Sequence, residues 1–140
     1  LGAFISSNEI MHTLTHQPVL GHITTFGGHP VCCAASLAAL QILLREDVMM
    51  EVEKKEQLFR KLLVHPLIQK INGKGLLLSI QFESQEINTK VIIECIKNGI
   101  IADWFLFNPS ALRIAPPLII SEKEINRVCA VLLKIFDEII

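Results

Sequence analysis

Apolar residues along the chain change their spacing several times, and each change marks an element. The opening Leu1-Gly2-Ala3-Phe4-Ile5 is strand-like, and Ser6-Ser7-Asn8-Glu9 then offers helix caps for a short segment through about Leu14. From Thr15 to Pro30 the chain is polar and contains proline, which predicts a long loop, and loops of that length are often functional. Pro30 suits the first turn of a helix, where a missing N–H costs nothing. After it Ala34, Leu37, Ala38, Leu40, Leu44 and Val48 recur at helical spacing. Charges at Arg45 to Asp47 and Glu51 to Glu56 interrupt the apolar density, and Leu58, Phe59 and Leu62 resume it before Pro66. This predicts one long helix, kinked, or two helices in sequence.

Beyond Pro66 the period shortens. Gly73 and Gly75 precede Leu76-Leu77-Leu78-Ser79-Ile80-Gln81-Phe82, a strand pattern. Thr89 to Asn98 reads as a helix with Val91, Ile92, Cys95 and Ile96 on one face, and Gly99 stands where helices end in a left-handed residue. A strand at Ile100 to Leu106, a turn at Asn108-Pro109 and a strand at Ala111 to Ala115 follow, and Pro116-Pro117 stops the ladder. Ser121 and Glu124 form a capping box for a last helix whose buried stripe is Ile125, Val128, Cys129, Leu132, Leu133 and Phe136. The order from Gly75 is strand, helix, strand, strand, helix. A small, mainly antiparallel sheet with helices on one face buries those stripes most simply, an α/β arrangement of the α+β kind.

Composition narrows the class of partner. With 140 residues, 51% of them hydrophobic, the chain can bury one core and carry part of a second domain. The formal charge of -1, with both signs spread along the chain, leaves no basic stripe for nucleic acid and no cationic face for a membrane. No apolar run approaches the roughly 20 residues of a membrane span. Cys32 and Cys33 are adjacent and Cys95 and Cys129 distant, so neither a disulfide framework nor a zinc pair is suggested, and a reducing cytoplasm fits. A start on Leu1 within an apolar segment leads to the expectation of a fragment of a longer chain.

The loop His22-Ile23-Thr24-Thr25-Phe26-Gly27-Gly28-His29-Pro30 carries the best candidate chemistry. Hydroxyls, glycines that let backbone approach closely, and the positive end of a helix converge there, which suits an anion such as phosphate. His12 and His16 lie one helical turn apart, without a third ligand at matching spacing, so no metal site is expected. Glu51-Val52-Glu53-Lys54-Lys55-Glu56 reads as an exposed helix face with local ion pairs, and Trp104-Phe105-Leu106-Phe107 as core or interface.

Four segments then carry a resemblance. Thr24-Thr25-Phe26-Gly27-Gly28-His29-Pro30, followed by small residues from Cys32 to Ser36, resembles the threonine-aromatic-Gly-Gly-Asn-Pro motif of class III aminotransferases, with His29 where asparagine is commoner. Leu1-Gly2-Ala3-Phe4 resembles the segment just after that family's cofactor lysine, Gly73-Lys74-Gly75-Leu76-Leu77-Leu78 its small-domain strand, and Leu112-Arg113-Ile114-Ala115-Pro116-Pro117-Leu118 its C-terminal Arg-x-x-Pro-Pro-Leu. The four stand in the family's order and span the chain.

The resemblance implies the C-terminal part of a fold-type I, pyridoxal-phosphate-dependent transferase. Residues 1–30 would be the tail of the large cofactor domain, 31–66 an interdomain helix, and 67–140 the small C-terminal domain. It also implies that Thr25, with Thr24 as the weaker candidate, reaches the phosphate of the partner's cofactor across a homodimer, and that Arg113 binds a substrate carboxylate or pairs with a gating glutamate. The reaction implied moves an amino group between an amino acid of the ornithine, acetylornithine or 4-aminobutyrate type and 2-oxoglutarate. The family's cofactor lysine, its aspartate for the pyridine nitrogen and its phosphate loop have no counterpart here, so this chain alone is expected neither to bind pyridoxal 5'-phosphate nor to supply a catalytic residue. An aminomutase of the glutamate-semialdehyde type, or a noncatalytic amino-acid-binding module, would share some of these features.

Overall fold

The protein is described by a computed structural model over residues 2–17, 19, 21, 23–45 and 47–139. Leu1, which opens the strand-like segment and one motif, and His22, which opens the loop, lie outside the described residues. The chain divides into two compact units, Leu1–Glu46 and Asp47–Ile140.

The first unit holds helix α1 (Asn8–His12) and helix α2 (Pro30–Arg45). Ser7 caps α1 from an extended conformation, its Oγ accepting the Ile10 N–H at 3.4 Å. Gly2 to Ile5 form no strand among the described residues, because no partner supplies a ladder. α2 carries apolar residues all round its axis, the pattern of a helix that other structure must surround. None of the described residues of this unit is fully buried, and Leu37, Leu40, Ile42 and Leu44 are exposed.

In the second unit a short 3-10 helix (Asp47–Met49) leads to α3 (Val52–Leu62), then β1 (Lys70–Lys74), β2 (Leu77–Gln81), α4 (Gln85–Lys97), β3 (Asp103–Phe105), β4 (Asn108–Ile114) and α5 (Glu122–Ile139). The stretch from Pro30 to Pro66 is thus two helices in sequence. The strands form one antiparallel sheet in the order β1-β2-β4-β3. From β2 onward the order matches that read from the hydrophobic pattern, and β1 is additional. It is an edge strand whose residues, Ile71 apart, are exposed, so it carries no apolar alternation to read.

Leu78 and Ile80 of β2 pair with Ile114 and Leu112 of β4, and opposed residues share a face. These four are buried together with Phe82, with Phe59 of α3, with Val91 and Cys95 of α4, and with Ile125, Cys129, Leu132, Ile135 and Phe136 of α5. Phe82 and Phe136 meet edge to face at 5.5 Å between ring centroids.

Helix ends follow their local chemistry. Ser84 Oγ accepts the Ile87 N–H, which starts α4 four residues before the predicted Thr89. At its other end Ile100 N–H donates to Cys95 C=O and Gly99 N–H to Ile96 C=O, with Gly99 at φ +78, a Schellman motif. The Ser121 capping box forms as predicted. Glu124 N–H donates to Ser121 Oγ at 3.2 Å, and Glu124 Oε2 accepts the Ser121 N–H at 2.8 Å.

Three expectations change. The β3–β4 turn is Leu106-Phe107, and Asn108 lies in the strand, where its Nδ2 donates to Gln81 Oε1 and its Oδ1 accepts from Ser110 Oγ. Pro109 sits where the β3–β4 register is irregular and no ladder N–H is needed, and its carbonyl accepts Asn88 Nδ2. The aromatic cluster is not core: Trp104 is 51% exposed, and Leu106 and Phe107, at the hairpin tip, are 80% and 96% exposed.

The charged run is not wholly solvated either, since Lys55 and Glu56 are buried. Lys55 Nζ donates to Leu118 C=O at 2.7 Å, and Glu56 accepts both Arg60 Nε and the Gly75 N–H. Arg60 also donates to the carbonyls of Ile71 and Gly73, so one buried carboxylate and one guanidinium clamp the β1–β2 turn. The Gly75 N–H, followed by the Arg60 hydrogen bond, holds the Glu56 carboxyl below the usual carboxylate range.

Candidate functional site

Thr24 to Gly28 form a tight turn directly ahead of α2. Gly27 N–H donates to Thr24 C=O at 3.2 Å and His29 N–H to Phe26 C=O at 3.1 Å, while Cys33 N–H reaches back to His29 C=O. Gly28 has φ +73, a conformation that side chains resist. At Gly27 an added Cβ would lie 2.6 Å from Thr24 Oγ1, so a larger residue there would require the Thr24 side chain to shift. Thr25 and Phe26 are exposed, and the Phe26 ring leans on His29 at 6.2 Å between centroids. Pro30 occupies the first helical position, and the free N–H groups of the next residues add the positive end of α2 to this turn.

Arg113 is placed by β4. Its neighbours Leu112 and Ile114 are buried, which fixes the backbone, while its own side chain is 43% exposed. Asp103 of β3 lies directly opposite in register, and its Oδ2 accepts Arg113 Nη2 at 2.9 Å. Asp103 Oδ1 in turn accepts the Trp104 N–H at 2.8 Å. Arg113 also borders a cleft of about 330 Å³ whose remaining wall is apolar, including Phe59, Ile100 and Leu132.

The two candidate threonines therefore share one turn in the first unit, and Arg113 belongs to the second. Among the described residues no group of three or more histidines, cysteines or carboxylates could hold a metal ion, and no helix is long and apolar enough to cross a membrane.

The sequence profile of the family described as Aminotransferase class-III matches residues 1–136. The chain belongs to the class III aminotransferases. Solved relatives agree. An aminotransferase from Bacillus anthracis is 28% identical with a TM-score of 0.73, over 94% of this chain and 34% of that one. An ornithine aminotransferase from Toxoplasma gondii ME49 is 28% identical with a TM-score of 0.70, over 85% of this chain and 30% of that one. The adenosylmethionine-8-amino-7-oxononanoate aminotransferase of Methanocaldococcus jannaschii DSM 2661 is 26% identical with a TM-score of 0.64, over 76% and 27%. The chain spans about a third of the length of these structures. Their likeness establishes the fold as a portion of a fold-type I aminotransferase, with its small antiparallel sheet and covering helices.

Class III aminotransferases use pyridoxal phosphate, and the Thr25 turn fits one end of that cofactor. An exposed hydroxyl, a helix start and two glycines that keep side chains out of the way are what a phosphate requires. Asp103 escaped the sequence reading. Its relation to Arg113 depends on the irregularity between Trp104 and Phe105: a regular hairpin continued from the Phe105–Asn108 pair would set Asp103 against Ser110, and the register shift brings it to Arg113 instead.

Proposed function

We propose that the protein carrying this chain is a pyridoxal-phosphate-dependent aminotransferase, transferring an amino group between an amino acid of the ornithine, acetylornithine or 4-aminobutyrate type and 2-oxoglutarate. The observation that carries this reading is the Thr25-Phe26-Gly27-Gly28 turn, which presents a free-standing hydroxyl at the start of a 16-residue helix within a family match. Pyridoxal phosphate, when bound, supplies the electron sink for the bond changes at the amine-bearing carbon. Thr25 would hold the phosphate of the cofactor bound by the partner subunit, its hydroxyl donating a hydrogen bond. Thr24, exposed in the same turn, is the weaker candidate for that contact. Arg113 offers its guanidinium fork to a substrate carboxylate. Residues 67–140 act as the small domain and the preceding helical stretch as the interdomain link.

The exposed apolar residues of α2 support a homodimer, in which a second copy and the remainder of the enzyme cover that helix. These 140 residues offer no match to the family's cofactor lysine, so on their own they are inactive. The four free cysteines suit a cytoplasmic setting.

Thr25→Ala in the full-length enzyme tests the reading. Cofactor affinity, followed by its absorbance, falls together with transaminase activity, and an inert substitution favours a noncatalytic binding module. Product analysis without an added oxo acid separates the aminotransferase from an aminomutase, which turns over alone. Light scattering of the isolated chain gives a dimer or higher species, and a monomer at all concentrations refutes the self-association.

A further inference from the structure

We propose that Asp103 is a positioning residue for Arg113: it holds the guanidinium by one N–H and leaves a two-donor edge open for a substrate carboxylate. This rests on the reading of Arg113 as a carboxylate contact.

The geometry supplies the argument. Asp103 stands opposite Arg113 in the β3–β4 register, and its two oxygens have separate tasks: Oδ1 accepts the Trp104 N–H, which anchors the carboxylate to its own backbone, and Oδ2 accepts Arg113 Nη2. A carboxylate that used both oxygens on the guanidinium would occupy one of its two two-donor edges. This one takes a single Nη2 hydrogen, and a guanidinium with five N–H groups then still presents two parallel donors on another edge. The pair is 43% and 46% exposed, so water screens it and its contribution to stability is small. Its consequence is orientation. An arginine side chain has many rotamers, and one already held by its neighbour loses less freedom when the carboxylate arrives.

The test compares Asp103→Ala, Asp103→Asn and Arg113→Gln in the full-length holoenzyme. The readouts are KM and kcat for 2-oxoglutarate, the thermal midpoint, and the calorimetric Kd of glutarate, a dicarboxylate that cannot react. Asp103→Ala raises KM and the glutarate Kd about three- to tenfold with kcat within about twofold, the cost of ordering one long side chain. Asp103→Asn stays near the parent, because an amide oxygen still accepts from Nη2. If Asp103→Ala binds glutarate equally or more tightly while Arg113→Gln weakens it, this inference fails and the Arg113 reading survives. If Arg113→Gln changes nothing, both fail. A fall in thermal midpoint and kcat alongside KM, or failure of Asp103→Ala to fold, marks a structural role and also overturns the proposal.

Discussion

In α5 the apolar residues Ile125, Cys129, Leu132, Ile135 and Phe136 are buried, whereas in α2 Leu37, Leu40, Ile42 and Leu44 are exposed. The two helices differ in apolar content, which is higher in α2, and in how it is arranged. α5 keeps its apolar residues in one stripe and turns it onto a sheet, while α2 distributes them around the axis and would need cover on every side. The second unit therefore encloses a core of its own, whereas the first leaves these apolar residues exposed. Each unit also carries two cysteines, which gives the contrast its largest measurable effect. Burial pushes the Cys95 thiol up to about 11 and the Cys129 thiol up to about 12. Their thiolate fractions are then lower than those of ordinary thiols by about a hundred- to a thousandfold, before steric protection is counted. On the native chain a disulfide reagent modifies exposed Cys32 and Cys33, and Cys95 and Cys129 react only after denaturation. Four thiols reacting at one rate would remove the distinction between the units.

Truncation comes next in size. Phe136 is fully buried, touches Phe82 and His65, and closes the core from α5. Phe136→Ala costs about 3–5 kcal/mol in urea unfolding, from lost transfer energy and the cavity left behind. Leu40→Ala in α2 leaves that transition within about 0.5 kcal/mol, because an exposed side chain leaves no cavity. Its effect is on self-association, read by light scattering.

Backbone geometry gives the third effect. Gly73 has φ +109, and an added Cβ would collide with the Leu77 carbonyl oxygen across the β1–β2 turn. Gly73→Ala destabilises the second unit by at least about 1–3 kcal/mol, the range for strained backbone, with the collision in addition. Gly28, also at positive φ in the first unit, has open space where a Cβ would stand. Gly28→Ala therefore changes the turn at Thr25 without moving the unfolding midpoint, which circular dichroism in urea checks.

What could be read from the sequence follows the range of the interactions. α4 and α5 were legible because stripe, cap and terminator lie within a few residues of one another, as at Gly99 and at Ser121 with Glu124. The burial of Lys55 and Glu56 was not, since their partners lie 63 and 19 residues away and local spacing cannot show them. β1 was missed because an edge strand need not alternate, and the β3–β4 turn was misplaced because Asn108 and Pro109, turn-forming residues elsewhere, serve a side-chain network and a register shift here. For the candidate site the same division holds. Thr25 and Arg113 stand in contiguous motifs, while Asp103 meets Arg113 only through the hairpin register.

The smallest effect compares two serine caps. Ser121 Oγ accepts the Glu124 N–H at the start of α5, and Ser7 Oγ accepts the Ile10 N–H at the start of α1. Ser121→Ala costs about 1 kcal/mol, because the capped helix forms cooperatively with the core. Ser7→Ala does not register in the same transition, since α1 has no buried residue to couple it to the rest. Acid sharpens the comparison. Hydrogen bonds from the Ser121 hydroxyl and N–H hold the Glu124 carboxyl below its ordinary range. Its contribution is therefore complete above the unfolded glutamate pKa of about 4.3 and is lost as pH falls through the lower folded value. Stability of the parent drops across that interval, and Ser121→Ala drops less steeply while keeping the part due to Glu56. A Ser121→Ala profile that stays parallel to the parent would show that the box does not hold Glu124 in solution, and a Ser7→Ala shift of equal size would show that α1 folds together with the core.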